Sequence, residues 1–222
     1  MASNNKSKKK NKKTIKKFFY RFVKRIVELF VGLFGIIFLI PIIIIIKIIY
    51  MFSGDFHSIF FIQKRIGRNG KEFNFIKFRT MVLNADEILF KMLEENPEIA
   101  KEYKKNKKLE KDPRITKIGD FLRRKSVDEL PQLINIFLGQ MSLIGNRPYL
   151  PREKDDMGKK FDIIVSTKPG LTGYWQVSGR SDVSFNERLR LEEYYSKNCG
   201  FKMDLKIFFK TFTTIFGGKG AK

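Results

Sequence analysis

Residues 26–52 read IVELFVGLFGIIFLIPIIIIIKIIYMF, and no other stretch constrains the fold as much. Only Glu28 and Lys47 carry charge within it. A helix needs roughly 20 apolar residues to cross the hydrocarbon core of a bilayer, so this run is long enough. Pro41 stands near its middle. Proline has no N–H for the helical ladder and its ring meets the carbonyl four residues back, so the sequence predicts a helix–break–helix here. Lys47 must snorkel or face protein. Two topologies compete: a single span with its flanks on opposite sides, and a re-entrant hairpin that returns to its own side. Charge favours the second. Residues 1–25 hold lysines and arginines without an acid, and the chain beyond Phe52 is also basic. Such flanks stay cytoplasmic, which a hairpin dipping into one leaflet satisfies and a span does not.

The formal net charge is +22 and the pI is near 10.0. Charge of this size alone suits nucleic acid. Here the basic tail abuts an apolar run, which selects anionic membrane lipid instead and argues against a nucleic-acid partner. The opening residues lack hydrophobes and are expected to be disordered. They do not read as a cleaved signal peptide, because the apolar run is too long and no small-residue cleavage site follows. One cysteine, Cys199, excludes an internal disulfide and suits a reducing compartment. One histidine, His57, argues against a zinc centre or a Ser/His/Asp triad.

Residues 123–148 (RRKSVDELPQLINIFLGQMSLIGNRP) carry the chemistry. The acid pair Asp128-Glu129 lies between a basic cluster and a downstream Arg147-Pro148. Leu130, Leu133, Ile134, Phe137 and Leu138 recur at helical spacing behind it. Ser126 or Asp128 can cap that helix. Pro131 favours Asp128, which would put the proline in the first turn, where no donor is needed. Either choice sets the acids at a helix N-terminus, where unpaired N–H groups favour anions. One carboxylate can bind a divalent metal and the other attack phosphorus, with arginines neutralising phosphate oxygens. The plain alternative is a capping acid on a solvated helix.

Around this segment, 60–65 and 71–79 flank the turn GRNG and predict a β-hairpin. Residues 82–108 read as one charged helix. Asp112-Pro113 marks a loop, and 166–181 (STKPGLTGYWQVSGRS) a second, structured one. Residues 186–197 predict another helix. Residues 201–216 (FKMDLKIFFKTFTTIF) are amphipathic and aromatic, suited to a core or to the interface plane. The expected fold is α+β and mostly helical. A basic disordered tail (1–21) precedes a re-entrant membrane hairpin (22–52). A membrane-associated catalytic domain (53–222) follows, with a small β-hairpin and amphipathic interface helices.

Five features stand in order: the proline-broken basic and apolar N-terminus; FFIQKRIGRNGKEFNFIKFRTM; DPRITKIGDFLRRKSVDELPQLINIFLGQMSLIGNRP; KPGLTGYWQVSGR; and DLKIFFKT. This order resembles the bacterial sugar transferase family, the monotopic phosphoglycosyl transferases, from about residue 22 to residue 211. The extent matches a catalytic core without the extra spanning helices of larger members. The resemblance implies transfer of a sugar-1-phosphate from a UDP-sugar to polyprenyl (undecaprenyl) phosphate. UMP leaves, and the reaction initiates polysaccharide or glycoconjugate assembly at the cytoplasmic face of the bacterial inner membrane. It implies Asp128 as the nucleophile of a covalent phosphosugar intermediate and Glu129 as a ligand of Mg²⁺. It implies Arg123 for the lipid phosphate, and Lys77 and Arg147 for substrate phosphates. Arg79, Pro148, Gln176, Arg180 and Glu192 complete the implied substrate-binding set, with Pro41 as the membrane break.

Four positions depart from the family pattern. Ile40 replaces a serine before Pro41, Gln140 an acid, Asn146 a proline and Glu192 an aspartate. A weakened, membrane-anchored scaffold of the same pathway is the competing expectation. The TGYWQVSGR loop resembles galactose or glucose transferases more than those acting on diacetamido sugars. Oligomeric state stays open, a homodimer among the options.

Overall fold

The structure, a computed structural model, describes residues 2–179 and 183–216, with side chains over 15–179 and 183–213. Helix α1 spans Ala2–Phe52 and runs through Pro41 without interruption, so the expected break is absent. Losing one helical bond at a proline costs about 3 kcal/mol. Leu39, Ile46 and Tyr50, at 1%, 3% and 2% exposure, lie on both sides of it and pack with Ile59, Phe78 and Leu122. Each such burial contributes about 1.5–3 kcal/mol, which outweighs the lost bond. The helix also takes in the basic segment expected to be disordered, in keeping with lysine's good helix propensity.

The charged residues in the apolar run are both paired. Glu28 is buried and accepts from Ser142 Oγ and, at 3.3 Å, from Leu143 N. Lys47 Nζ donates to the carbonyls of Phe56 (3.0 Å) and His57 (3.2 Å), so it faces protein. The other face of α1, including Phe22, Phe30, Phe34, Phe38 and Ile45, is exposed. Its stretch Ile15–Phe52 is long and apolar enough to cross a membrane by length and composition.

Strands β1 (Phe60–Ile66) and β2 (Glu72–Phe78) form the expected antiparallel hairpin, in register from Phe60↔Phe78 to Ile66↔Glu72. Its turn places Asn69 and Gly70 at φ 57° and 76°, the left-handed region that an Asn-Gly pair tolerates. The single helix expected over 82–108 is two, α2 (Ala85–Glu95) and α3 (Pro97–Asn106). Asn96 divides them. Its side chain accepts from Glu98 N (3.0 Å) and Ile99 N (3.2 Å), and Pro97 occupies the first turn, where it needs no donor.

Next come α4 (Lys117–Arg124), a 3₁₀ turn (Val127–Glu129) and α5 (Gln132–Phe137). Gly32 and Gly35 let α1 lie close against α5. A Cβ on either would come within 3.0 Å of Phe137 Cβ and 2.7 Å of Leu133 Cδ1 respectively. Strand β3 (Ser142–Ile144) is followed by the short helices α6 (Lys154–Met157) and α7 (Phe161–Ile164). The stretch read as a loop at 166–181 contains strand β4 (Gly170–Thr172), parallel to β3, and helix α8 (Tyr174–Ser178). Helix α9 (Phe185–Asn198) starts one residue earlier than expected, and α10 spans Phe201–Phe216 as expected. The fold is α+β and mostly helical.

Helix α10 is pinned to α1. Tyr20 OH and Lys24 Nζ each reach Asp204 Oδ2 at 2.6 Å. Ile207 is fully buried beneath α10, while Phe208, Phe209 and Phe212 point outward.

Candidate active site around Asp128

Helix α4 is anchored by backbone packing before it contributes any chemistry. Thr116 caps it, its Oγ1 accepting from Gly119 N at 2.9 Å, and Thr116 N donates to Thr80 O at 3.0 Å. Gly119 permits this approach, since a Cβ there would lie 1.9 Å from Thr80 O. The last turn then brings Arg123 Nε to Thr80 Oγ1 at 2.9 Å. Ser126, at φ 54°, reverses the chain, and the 3₁₀ turn presents the acid pair back toward β2. Neither Ser126 nor Asp128 makes the expected side-chain cap, and Pro131 occupies the N-cap of α5 instead. The acid turn is therefore separate from α5, and its carboxylates are not spent on that helix's N–H groups.

Asp128 is 8% exposed. Burial pushes its carboxyl above the ordinary range, and the Lys77 and Arg123 charges pull against that rise. Lys77 comes from β2, where it stands opposite Phe61, its ammonium 5.3 Å from the Phe61 ring centroid. Burial, then Arg123 and Arg65, push Lys77 down to about 8 against the pull of Asp128 and Glu129. Arg123 is lowered by burial while Asp128 and Asp112 favour its charge. Asp112 is held in turn by Arg114, at 2.6 Å and 2.8 Å. Asp128, Glu129, Lys77 and Arg123, all expected from sequence, thus form one electrostatically coupled group.

A second cluster adjoins it. Glu192 on α9 is 1% exposed and accepts from Arg147 N at 2.7 Å. Burial pushes Glu192 up to about 7, opposed by Tyr149, Arg147 and Arg188. The Pro148 carbonyl accepts from Arg65 Nη1 at 3.0 Å. Arg65 and Arg188 both carry a cost from burial and, next, from Arg147, and burial with its like-charged neighbours lowers Arg65 to about 9. The Nε atoms of Arg65, Arg147 and Arg188 are buried without a hydrogen-bond partner among the described residues. A buried cluster of arginines with open donors is an anion-binding environment. Sequence reasoning missed Arg65 and Arg188. Their signal was an arginine on an inward strand position beside Ile66, and another between Phe185 and Leu189 on the apolar stripe of α9.

The other expected site residues stand elsewhere. Arg79 pairs with Asp55 at 2.8 Å, donates to Ser58 O at 2.8 Å, and lies 4.9 Å over the Tyr50 ring. It receives Tyr50 OH on its own carbonyl, and so fastens the end of α1 to the hairpin. Gln176 on α8 donates to Leu171 O at 3.3 Å. Arg180 lies outside the described residues. Besides Glu192, two further departures from the family pattern have partners. Asn146 Nδ2 donates to Ser196 Oγ (2.7 Å) and Ile164 O (3.0 Å), and Gln140 Oε1 accepts from Asn135 Nδ2 (2.6 Å).

The family described as bacterial sugar transferase matches over residues 19–218. The exopolysaccharide production protein ExoY of Sinorhizobium fredii is 40% identical over 181 residues, covering 82% of this chain and 80% of the relative. The UDP-galactose-lipid carrier transferase of Erwinia amylovora is 41% identical over 177 residues, 80% of this chain and 37% of the relative. The undecaprenyl-phosphate galactose phosphotransferase of Salmonella typhimurium is 43% identical over 159 residues, 72% of this chain and 33% of the relative. The chain thus spans about a third of the length of the last two and most of the first.

Proposed function

The chain belongs to the bacterial sugar transferase family, and from that premise we propose that it moves a sugar-1-phosphate from a UDP-sugar to polyprenyl phosphate and releases UMP. The observation that carries the reading is the buried Asp128 carboxylate, on which the Lys77 and Arg123 charges act. A carboxyl with a raised pKa is a more basic nucleophile, and the two cations hold it ionised beside anionic substrates.

In the first step an Asp128 oxygen attacks the sugar-bearing phosphorus. The phosphoanhydride bond breaks and its electron pair leaves on UMP, giving an aspartyl phosphosugar. In the second step an oxygen of polyprenyl phosphate attacks the same phosphorus. The aspartyl bond breaks, Asp128 recovers its carboxylate, and a polyprenyl diphosphate sugar departs. Lys77, Arg123 and Arg147 offset the charge that gathers on the phosphate oxygens. Arg79 is better suited to anchoring α1 than to touching substrate, since its guanidinium is engaged by Asp55 and Ser58.

Mg²⁺ fits this donor set. Among the described residues no group of three or more His, Cys, Asp or Glu side chains is arranged to hold a metal. Mg²⁺ usually needs only one or two carboxylates when substrate phosphates and waters complete its shell. Glu129 would hold it, and when bound it supplies charge neutralisation at the diphosphate.

The exposed apolar face of α1 and the outward phenylalanines of α10 support a membrane-surface placement. Tyr20 and Lys24 before the apolar run and Tyr50 near its end all contact the same globular body. That favours a helix lying along one face of the membrane over one that crosses it, the cytoplasmic face by charge. The relatives named for galactose make UDP-galactose the first donor to try.

The test is UMP release over a panel of UDP-sugars, with purified enzyme, polyprenyl phosphate and Mg²⁺. UDP-galactose or UDP-glucose should give acceptor-dependent turnover, and Asp128→Asn should abolish it. Silence with every donor would leave the scaffold role instead.

A further inference from the structure

Between the C-terminal third of α1 and α4 lies an apolar groove of about 260 Å³, lined by Ile46, Ile49, Lys117, Ile118, Phe121 and Leu122. An apolar cavity of roughly 150 Å³ already takes up benzene. Ile46 and Leu122 form its floor at 3% exposure each, and Ile49 and Phe121 its lips at 43% and 54%. Lys117 is the only charged residue of the lining.

Three observations identify the occupant. Leu122 in the floor directly precedes Arg123, whose guanidinium interacts with Asp128. Arg123 and the groove floor share a turn of α4, so a lipid whose phosphate sits at Arg123 has the groove within reach of its first isoprene units round the edge of that helix. The exposed lips continue onto the outward residues Ile45 and Ile48 of α1, so a long chain can leave the groove into the bilayer. The wall is also stiff: Gly119 and Thr116 fix α4 on the Thr80 backbone, so groove and arginine keep a constant relation.

We propose that this α1–α4 groove is the binding site for the first isoprene units of the polyprenyl phosphate acceptor. This rests on the roles given above to Arg123 and Asp128. It adds a place for the tail, and it makes the C-terminal part of α1 part of the acceptor site as well as an anchor. Membrane phospholipids share an apolar chain and a phosphate. They present a diester rather than the monoester nucleophile the reaction needs, so they do not need to reach Asp128.

The experiment uses the full chain in phosphatidylglycerol-containing nanodiscs and a polyprenyl phosphate bearing a diazirine on its first isoprene units. UMP release by the same preparation is measured first. After irradiation, peptide mass spectrometry should find the label on residues 43–52 and 117–124. Unlabelled polyprenyl phosphate should compete it away, and added phosphatidylglycerol should not. Ile49→Trp, which fills the groove from an exposed lip, should raise the KM for polyprenyl phosphate on the order of tenfold and leave the KM for UDP-sugar unchanged. Label centred on α10 or on the first half of α1, or competition by phosphatidylglycerol, overturns the groove. An unaltered acceptor KM in a folded Ile49→Trp enzyme does the same. If the wild-type preparation releases no UMP, the transferase reading itself fails. An active enzyme labelled elsewhere refutes the groove alone.

Discussion

Asp128 works between opposed influences. Burial favours its neutral form and the charges of Lys77 and Arg123 favour the carboxylate. Attack on phosphorus requires the carboxylate, so activity should fall as pH drops through a pKa above the ordinary aspartate value. Lys77→Met removes one influence that lowers this pKa, so the acid limb of the kcat/KM profile should move to higher pH. Turnover at neutral pH should also fall by at least about tenfold from lost phosphate stabilisation. A loss of turnover with an unmoved acid limb would show that Lys77 serves the substrate alone. Asp128, Glu129, Lys77 and Arg123 were legible in the sequence because they lie in recognisable motifs. The pairing of Arg79 with Asp55 was not, since it joins the hairpin to the chain just after α1 and leaves no local pattern. Arg65 and Arg188 escaped notice for a related reason. A strand or helix pattern marks a position as inward, but what gathers there depends on elements far apart in the chain.

Helix α4 shows how an element without catalytic atoms in its first turns still sets the site. Gly119→Ala would place a methyl 1.9 Å from the Thr80 carbonyl, and backbone cannot yield there as a flexible side chain can. Overpacking of this kind costs about 1–3 kcal/mol. The shift should also carry Arg123 away from Thr80, so turnover should drop even where thermal denaturation shows the variant folded. Full activity with an unchanged melting temperature would contradict this account of α4.

The other elements divide by how local their signals are. The hairpin and α10 were legible because alternation, an Asn-Gly turn and helical apolar spacing all act over a few residues. The division of α2 from α3 was written in Asn96-Pro97 but outweighed by the run of charged residues around it. Strand β4 was hidden because its three residues, Gly-Leu-Thr, are too few to carry an alternation, and its parallel partner β3 lies far back in the chain. Pro41 misled for a different reason. Its local cost is real, but packing on both flanks exceeds it, and sequence alone does not report that packing.

At the scale of the molecule, charge and contact agree. The flanks of the apolar run are basic, and Lys24 and Tyr50, near its two ends, contact one body. Cysteines introduced singly near residues 5 and 220, in a Cys199→Ser background, should both resist a membrane-impermeant thiol reagent in intact cells and both label after permeabilisation. Probes reporting opposite sides would mean that α1 spans. The central claim is that Asp128 carries the sugar phosphate between donor and lipid. Its most direct measurement is intact-protein mass spectrometry after incubation with UDP-galactose and Mg²⁺ and no lipid acceptor. The account predicts a protein heavier by one hexose phosphate, the adduct mapping to Asp128, absent from Asp128→Asn and discharged on adding polyprenyl phosphate. Product formation without any adduct, or an adduct that persists in Asp128→Asn, would contradict it.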